Sequence, residues 1–459
     1  MRRSISSPRH SVLKCHSTLI AARRTCTEQS FHTIAAREYS SIRPAPLPSS
    51  RRPSRITVPK DQLVVPRRFL NTEVVEDTEI SASPIPTFAF AFDIDGVLLR
   101  SSNPLPGATE ALLYLQKHNI PFILLTNGGG KLESERVAEL SERLGVSLLE
   151  ENLIQSHTPF KALIEKTAPQ YIDGLADGVV LVTGGDGEKC RQVAESYGFK
   201  NVVTPADILM ACPDIWPFSK NFSDTYKSSC RPLPRPVNLT DPDNSLKIDA
   251  IFVFNDPRDW ALDTQIIMDL LLSREGILGT VSEKNGKDRG YLQDKQPRLY
   301  FSNPDLLWSS AYHIPRLGQG AFQTALAGVW QRLTDTGLRY TVIGKPEKAT
   351  YHYAEKVLLA HRQNLSIAAG KADASPLSRV FMIGDNPASD IRGANIYALR
   401  NQKKKSDINW TSILVKSGVF QEGTEPAFKP KVIVDNVLEA VKWALKKEGW
   451  NGDVEKFKK

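Results

Sequence analysis

The segment Thr87-Phe88-Ala89-Phe90-Ala91-Phe92 is apolar at nearly every position and stops at Asp93-Ile94-Asp95-Gly96. An apolar run of this length fits a strand covered on both faces, as in a parallel sheet with helices on each side. The same punctuation recurs along the chain. Pro121-Phe-Ile-Leu-Leu125 ends in Thr126-Asn127-Gly128-Gly129-Gly130. Tyr340-Thr-Val-Ile343 ends in Gly344-Lys345-Pro346, and Val380-Phe-Met-Ile383 ends in Gly384-Asp385. Helix-like stretches over 107–119, 131–144 and 348–361 and a short strand around 152–155 lie between them. This alternation predicts a doubly wound α/β sheet.

Between about 170 and 338 the pattern restarts, with strands at Val179–Thr183, Ala250–Phe254 and Leu299–Phe301 and a helix over 261–273. That span has the size of a second α/β domain. Residues 213–248, rich in Pro, Ser and Asp and without periodicity, read as a long surface loop. A strand at Val432–Val434 and an amphipathic helix near 437–447 close the chain, followed by a tail over 448–459. The simplest topology is one sheet domain, 86–169 and 339–447, interrupted by an inserted domain over 170–338.

In open α/β sheets, ligands bind outside the carboxyl ends of the strands, so the four punctuating segments are expected to converge on one edge. Asp93 and Asp95 are two apart, and an extended chain points both to one side and Ile94 to the other. Asp93, Asp95 and Asp385 brought together repel unless a cation sits among them, and hard oxygen ligands favour Mg²⁺. Lys345 adds a fixed positive charge, Thr126 a hydroxyl with backbone N–H groups after it, and Gly96 a tight turn. Singly, each has a plainer explanation: a turn, a surface lysine, or caps on a helix at 388–396 for Asp385 and Asp390. Their occurrence in order, each after a strand, is what points to a site. Gly128-Gly-Gly-Lys131 is not a nucleotide P-loop, because Leu132 stands where Ser or Thr would reach the metal. Asp256-Pro-Arg-Asp259-Trp260 reads as a strand-to-helix turn, Gly318-Gln-Gly320 as a helix entry, and His157, His313 and His352 as structural.

Bulk charge narrows the function classes. The chain of 459 residues carries a formal +8, but residues 1–60 hold twelve Lys/Arg and two acids. The rest is near neutral at −2, so the body is not expected to bind nucleic acid. The Arg- and Ser-rich, acid-poor leader fits a mitochondrial transit peptide, cut after Tyr39 and followed by a linker over 40–85. A basic arm that touches RNA or lipid is the alternative. No run of 18 or more apolar residues exists, so no membrane span is expected. Five cysteines without a C-x-x-C pair argue against a disulfide scaffold or a zinc site.

The ordered set Asp93-Ile-Asp-Gly-Val97, Thr126-Asn127, Lys345 and Gly384-Asp385-Asn386-Pro-Ala-Ser-Asp390 resembles the haloacid dehalogenase superfamily, subfamily IIA, over roughly 86–447. Asn255–Trp260, Phe301–Asp305, Arg316–Phe322 and Asp385–Asn395 are similar to its mitochondrial branch, related to cat eye syndrome critical region protein 5. The resemblance implies a Rossmann-like core with an inserted C2-type cap, acting as a lid. It implies a Mg²⁺-dependent phosphatase in which Asp93 is the nucleophile and Asp95 the acid and base. It assigns the metal to Asp93, Asp385 and the backbone carbonyl of Asp95. The phosphoryl group falls to Thr126, Asn127, Gly128 and Lys345, with Asp390 and Asn386 in support. The implied substrate is a small phosphorylated metabolite in the mitochondrial matrix, and relatives of this kind often dimerise through the cap. One departure stands out: many members carry Asn where this chain has Gly128. It motivates a second reading, a low-activity or regulatory protein linked to glycerophospholipid metabolism.

Overall fold

The computed structural model describes residues 85–185, 187–218, 223–238, 240–308, 310–370, 375–403 and 408–452. The leader, its cleavage site, nearly all of the linker and the end of the tail lie outside these residues.

Among the described residues, six parallel strands form the core sheet in the order Val432–Val434, Asn409–Val415, Arg379–Gly384, Phe88–Phe92, Phe122–Leu125 and Leu153–Ile154. The sequence explains the two layers that cover it. Phe88, Phe90 and Phe92 alternate with Ala89 and Ala91, so one face of the central strand is bulky and the other flat. The bulky face receives the helices Ala108–Lys117 and Val437–Lys447. Each buries residues at i, i+3, i+4 and i+7: Ala108, Ala111, Leu112 and Leu115 in one, Val437, Ala440, Val441 and Ala444 in the other. On the flat face, the space that two alanines leave is filled by Tyr351, Tyr397 and Trp410.

A second sheet, also wholly parallel, orders its strands Thr341–Val342, Arg298–Phe301, Ala250–Val253, Val179–Thr183 and Asn201–Val203. Helices Trp260–Leu272 and Gln319–Thr334 bury Leu262, Ile266, Phe322 and Trp330 against one face. The other face stacks Phe252, Phe254 and Tyr300 around Phe160. The α/β architecture with an inserted α/β cap therefore stands as the sequence implied.

Several details differ from expectation. The strand before Lys345 joins the second sheet, pairing with Arg298–Phe301, and not the core sheet. Both sheets are parallel and both end near the site, so a two-residue strand carries no sign of which one it belongs to. Phe160 and Leu163 already pack under the cap sheet, ahead of the expected boundary at 170. Residues 213–248 are not a structureless loop. Helix Ser223–Ser229 lies within them, and Tyr226 Oη donates to Asp259 Oδ2 at 2.6 Å. Asn409–Val415, a central strand, carries no continuous apolar run because Thr411 and Ser412 interrupt it. The helix over 348–361 continues to Ala368, and the one placed at 388–396 is a π-turn, Pro387–Ile391, running into Arg392–Lys403.

Phe90 is fully buried between Phe92 and Phe381, with ring centroids 5.7 Å and 5.5 Å away. Truncation there removes transfer energy and opens a cavity, so Phe90→Ala is expected to lower unfolding free energy by about 3–5 kcal/mol. Urea denaturation checks this; a loss under about 1 kcal/mol would contradict the packing described.

Candidate active site

Asp93 follows the central strand, where the sheet's connections diverge to Phe122–Leu125 on one side and Arg379–Gly384 on the other. That switch point is where an open sheet leaves a crevice. Asp93, Asp95, Thr126, Gly128, Asp385 and Asn386 line one cavity of about 720 Å³ there. Ile94 points away into the core, as the two-residue period requires.

Lys345 reaches this edge from the cap side and is buried, 1% exposed. Its three ammonium protons have three acceptors: Asp93 Oδ1 at 2.8 Å, Asp390 Oδ1 at 2.7 Å and the Leu125 carbonyl at 2.8 Å. Burial alone would disfavour the charge, but the Asp390 and Asp93 carboxylates outweigh it and hold the pKa above the ordinary lysine value. Asp390 accepts from the Asn386 N–H through its other oxygen, at 3.0 Å. Both its oxygens are therefore used within the protein, in support of Lys345.

Asp385 accepts from the Val419 N–H at 2.7 Å. Burial first, then the Asp93 and Asp390 carboxylates, push its carboxyl well above the usual range. Asp93, Asp385 and Asp390 each bring an oxygen within 4.8 Å of the others, with Lys345 the neutralising side chain in contact. One ammonium against three crowded carboxylates leaves negative charge uncompensated, which fits a hard divalent cation. Asp95, half-buried beside Asp93, is pushed up to about 6 by desolvation and then by the Asp93 charge. At Gly96 (φ +86°) and at Gly418, a Cβ would run into the Asp385 carboxylate, so the backbone must be bare there.

Asn127, which the resemblance assigns to the phosphoryl group, lines the cavity, and its side-chain amide serves as a clamp between core and cap. Nδ2 donates to the Lys345 carbonyl and to Asp305 Oδ2, both at 2.9 Å, while Oδ1 accepts from the Lys345 N–H at 2.8 Å. Its carbonyl accepts from Asn303 Nδ2 at 2.9 Å. Asp305 is a site residue that sequence reasoning missed; burial pushes its carboxyl up to about 7, against the pull of Asn127 and Lys345. The signal lay in the Asn303-Pro-Asp305 turn, but its partner is 178 residues away. The turn at 256–260 is also at the site, since Asp256, Arg258 and Trp260 line the cavity while Asp259 caps the following helix.

The glycines after Asn127 have distinct reasons. Gly130 has φ +88° and its N–H donates to His157 Nε2 at 2.9 Å. A Cβ on Gly129 would stand 2.6 Å from His157 Cδ2. A Cβ on Gly128 would stand 3.2 Å from Thr126 Oγ1 and 3.5 Å from Asp95 Oδ2, so a side chain there would have to displace the Thr126 hydroxyl slightly. The N–H of Gly128 donates to that hydroxyl at 2.9 Å.

Two family descriptions match the chain: haloacid dehalogenase-like hydrolase over residues 90–200, and HAD-hydrolase-like over 342–440. A curated fusion protein of Schizosaccharomyces pombe, described as cardiolipin synthase (CMP-forming) / mitochondrial hydrolase, is 43% identical over 80% of this chain. A mitochondrial hydrolase of Saccharomyces cerevisiae is 41% identical over 78% of the chain and 96% of its own length. The chain belongs to the haloacid dehalogenase-like hydrolases. It spans about half, 54%, of the fusion protein. Among solved structures, p-nitrophenyl phosphatase from Archaeoglobus fulgidus is 16% identical with a TM-score of 0.48, covering 78% of this chain and all of that one.

In this hydrolase the glycine segment is braced by a buried relay. With Nε2 accepting from Gly130, neutral His157 carries its proton on Nδ1, 2.7 Å from Tyr197 Oη, which donates to Glu133 Oε1 at 2.6 Å. Burial lowers His157 to about 4, with Glu133 opposing and Lys161 adding to the shift. Below the unfolded value of ~6.5 the unfolded chain takes the proton first, so stability is full above that pH and lost as pH falls toward 4. The wild type is expected to lose about 2 kcal/mol more than His157→Gln between pH 7 and pH 5 in urea unfolding. Equal losses would show that the ring is not held neutral.

Proposed function

We propose that this hydrolase is a Mg²⁺-dependent phosphatase acting on a phosphomonoester, in the mitochondrial matrix. The observation that carries the reading is the buried Lys345 fixed on Asp93 and Asp390, with Asp385 and Asp95 at the same strand edge. Lys345 holds Asp93 by Oδ1 and leaves the other carboxylate oxygen to attack phosphorus in line with the ester oxygen. A bond from Asp93 to phosphorus forms as the bond to the leaving oxygen breaks, giving an aspartyl-phosphate. Asp95, with its raised pKa, gives its proton to that leaving oxygen. It then takes a proton from the water that attacks the aspartyl-phosphate, which frees Asp93 and inorganic phosphate. The Thr126 hydroxyl suits an equatorial oxygen of a loose transition state, while the Gly128 and Gly130 N–H groups, given to Thr126 Oγ1 and His157 Nε2, fix the shape of the segment behind it. Asp93, Asp385 and the Asp95 carbonyl would hold Mg²⁺, which supplies positive charge to the transferring group.

The relatives' names, both including "mitochondrial hydrolase", support the compartment, as does the basic leader. The fusion of one relative with a cardiolipin synthase supports a link to phospholipid metabolism.

Purified full-length protein with Mg²⁺ is expected to hydrolyse p-nitrophenyl phosphate and glycerol phosphate, with activity lost in EDTA and restored by Mg²⁺. Asp93→Asn is expected to lower kcat by at least about 10⁴-fold. Retained turnover in the variant, or in EDTA, would contradict the mechanism.

A further inference from the structure

Between Asp305 and the helix Gln319–Thr334 the cap projects a two-stranded ribbon, Leu307–Trp308 against Arg316–Leu317, that no third strand joins among the described residues. The Gly318 N–H closes it on the Leu306 carbonyl at 2.9 Å. Its side chains do not behave like a surface loop. Leu306, Leu307, Trp308, Tyr312, Ile314 and Leu317 are all exposed, Leu317 by 62%. Large apolar side chains clustered in water mark a contact surface.

The ribbon's charge says what it contacts. No Asp or Glu occurs from 306 to 318, and Arg316 is the one Lys or Arg in that stretch. The Arg316 guanidinium lies over the Tyr312 ring, 4.6 Å from its centroid. Exposed Trp, Tyr, Leu and Ile with an arginine and no acid is the composition of a segment that lies in a membrane interface facing anionic lipid. A second copy of this chain is a poorer occupant, since a twofold contact would bring the two Arg316 side chains onto the same face with no acid on either ribbon to offset them.

The ribbon also walls the active site. Leu307, Trp308, Tyr312 and Arg316 line the same cavity as Asp93 and Asp95, and so does Arg258, whose guanidinium hydrogen-bonds only the Asp256 carbonyl among the described residues. A surface seated on the ribbon would therefore lie at the mouth of the site, with apolar wall toward it and arginines beside the phosphate path.

We propose that the 306–318 ribbon seats on an anionic lipid surface, and that the phosphomonoester is the head group of an amphiphile presented by that surface. The substrate half of this proposal rests on the phosphatase reading of the site; the contact half does not.

Leu306 and Ile314 are exposed ribbon residues outside the cavity wall, so the test compares the full chain with its Leu306→Glu/Ile314→Glu variant. The basic leader is present in both, and the difference isolates the ribbon. Co-sedimentation is measured with phosphatidylcholine vesicles, with and without phosphatidylglycerol. Turnover is measured on phosphatidic acid in the vesicles and on p-nitrophenyl phosphate in solution. The variant is expected to bind anionic vesicles at least about tenfold more weakly and to lose phosphatidic acid turnover in proportion. Its hydrolysis of p-nitrophenyl phosphate should be unchanged. Equal vesicle binding by the two proteins would overturn the proposal. So would a wild-type dimer that the variant converts to monomer without loss of vesicle binding. Ribbon-dependent binding without any p-nitrophenyl phosphate turnover would support the lipid contact and overturn the phosphatase reading, and the amphiphile substrate with it.

Discussion

The Lys345 ammonium, closed off from water and shared by Asp93, Asp390 and the Leu125 carbonyl, is the interaction on which the rest of the site depends. Its charge makes it tolerable to bury acids from two different strands at one sheet edge, and those acids in turn keep it protonated. Removing either partner of such a pair leaves a buried charge uncompensated, at a cost of about 3–5 kcal/mol. Geometry follows from the same contact. Lys345 follows a strand of the cap sheet, whereas Asp93 and Asp390 follow strands of the core sheet. The ion pairs, with the Asn127 clamp onto Lys345 and Asp305, therefore hold cap against core where the cavity opens.

The strand ends were legible in the sequence for a physical reason. Strands of a parallel sheet are buried on both faces, so Phe88–Phe92, Phe122–Leu125 and Arg379–Gly384 read as apolar runs and their polar continuations fall at one edge. Asp93, Asp95, Thr126, Lys345 and Asp385 all arrive there. Elements that are short, or broken by polar residues, left no such trace. Thr341–Val342 gives no sign of its sheet, and Asn409–Val415 hides Thr411 and Ser412 inside a central strand.

Long-range polar pairing was the least legible layer. Asn127 offers an amide suited to phosphate, and only the fold reveals that Lys345 and Asp305 consume it. His157 has no triad-like neighbour along the chain, yet it is the link between the Gly130 N–H and Tyr197, which comes from the cap. In both cases local sequence states the chemistry a side chain can do and not which partner reaches it first. The cap ribbon is the converse: its apolar character is plain in the sequence, but only its exposure separates it from core.

The proposed chemistry turns on a covalent bond between phosphorus and Asp93, and trapping that bond tests it most directly. Full-length protein mixed with p-nitrophenyl phosphate and Mg²⁺, quenched in acid within one turnover and digested, should yield one phosphoryl group on the peptide containing Asp93, absent from Asp93→Asn. Turnover at full rate with no phosphoryl enzyme, or with the group on another residue, would contradict the account.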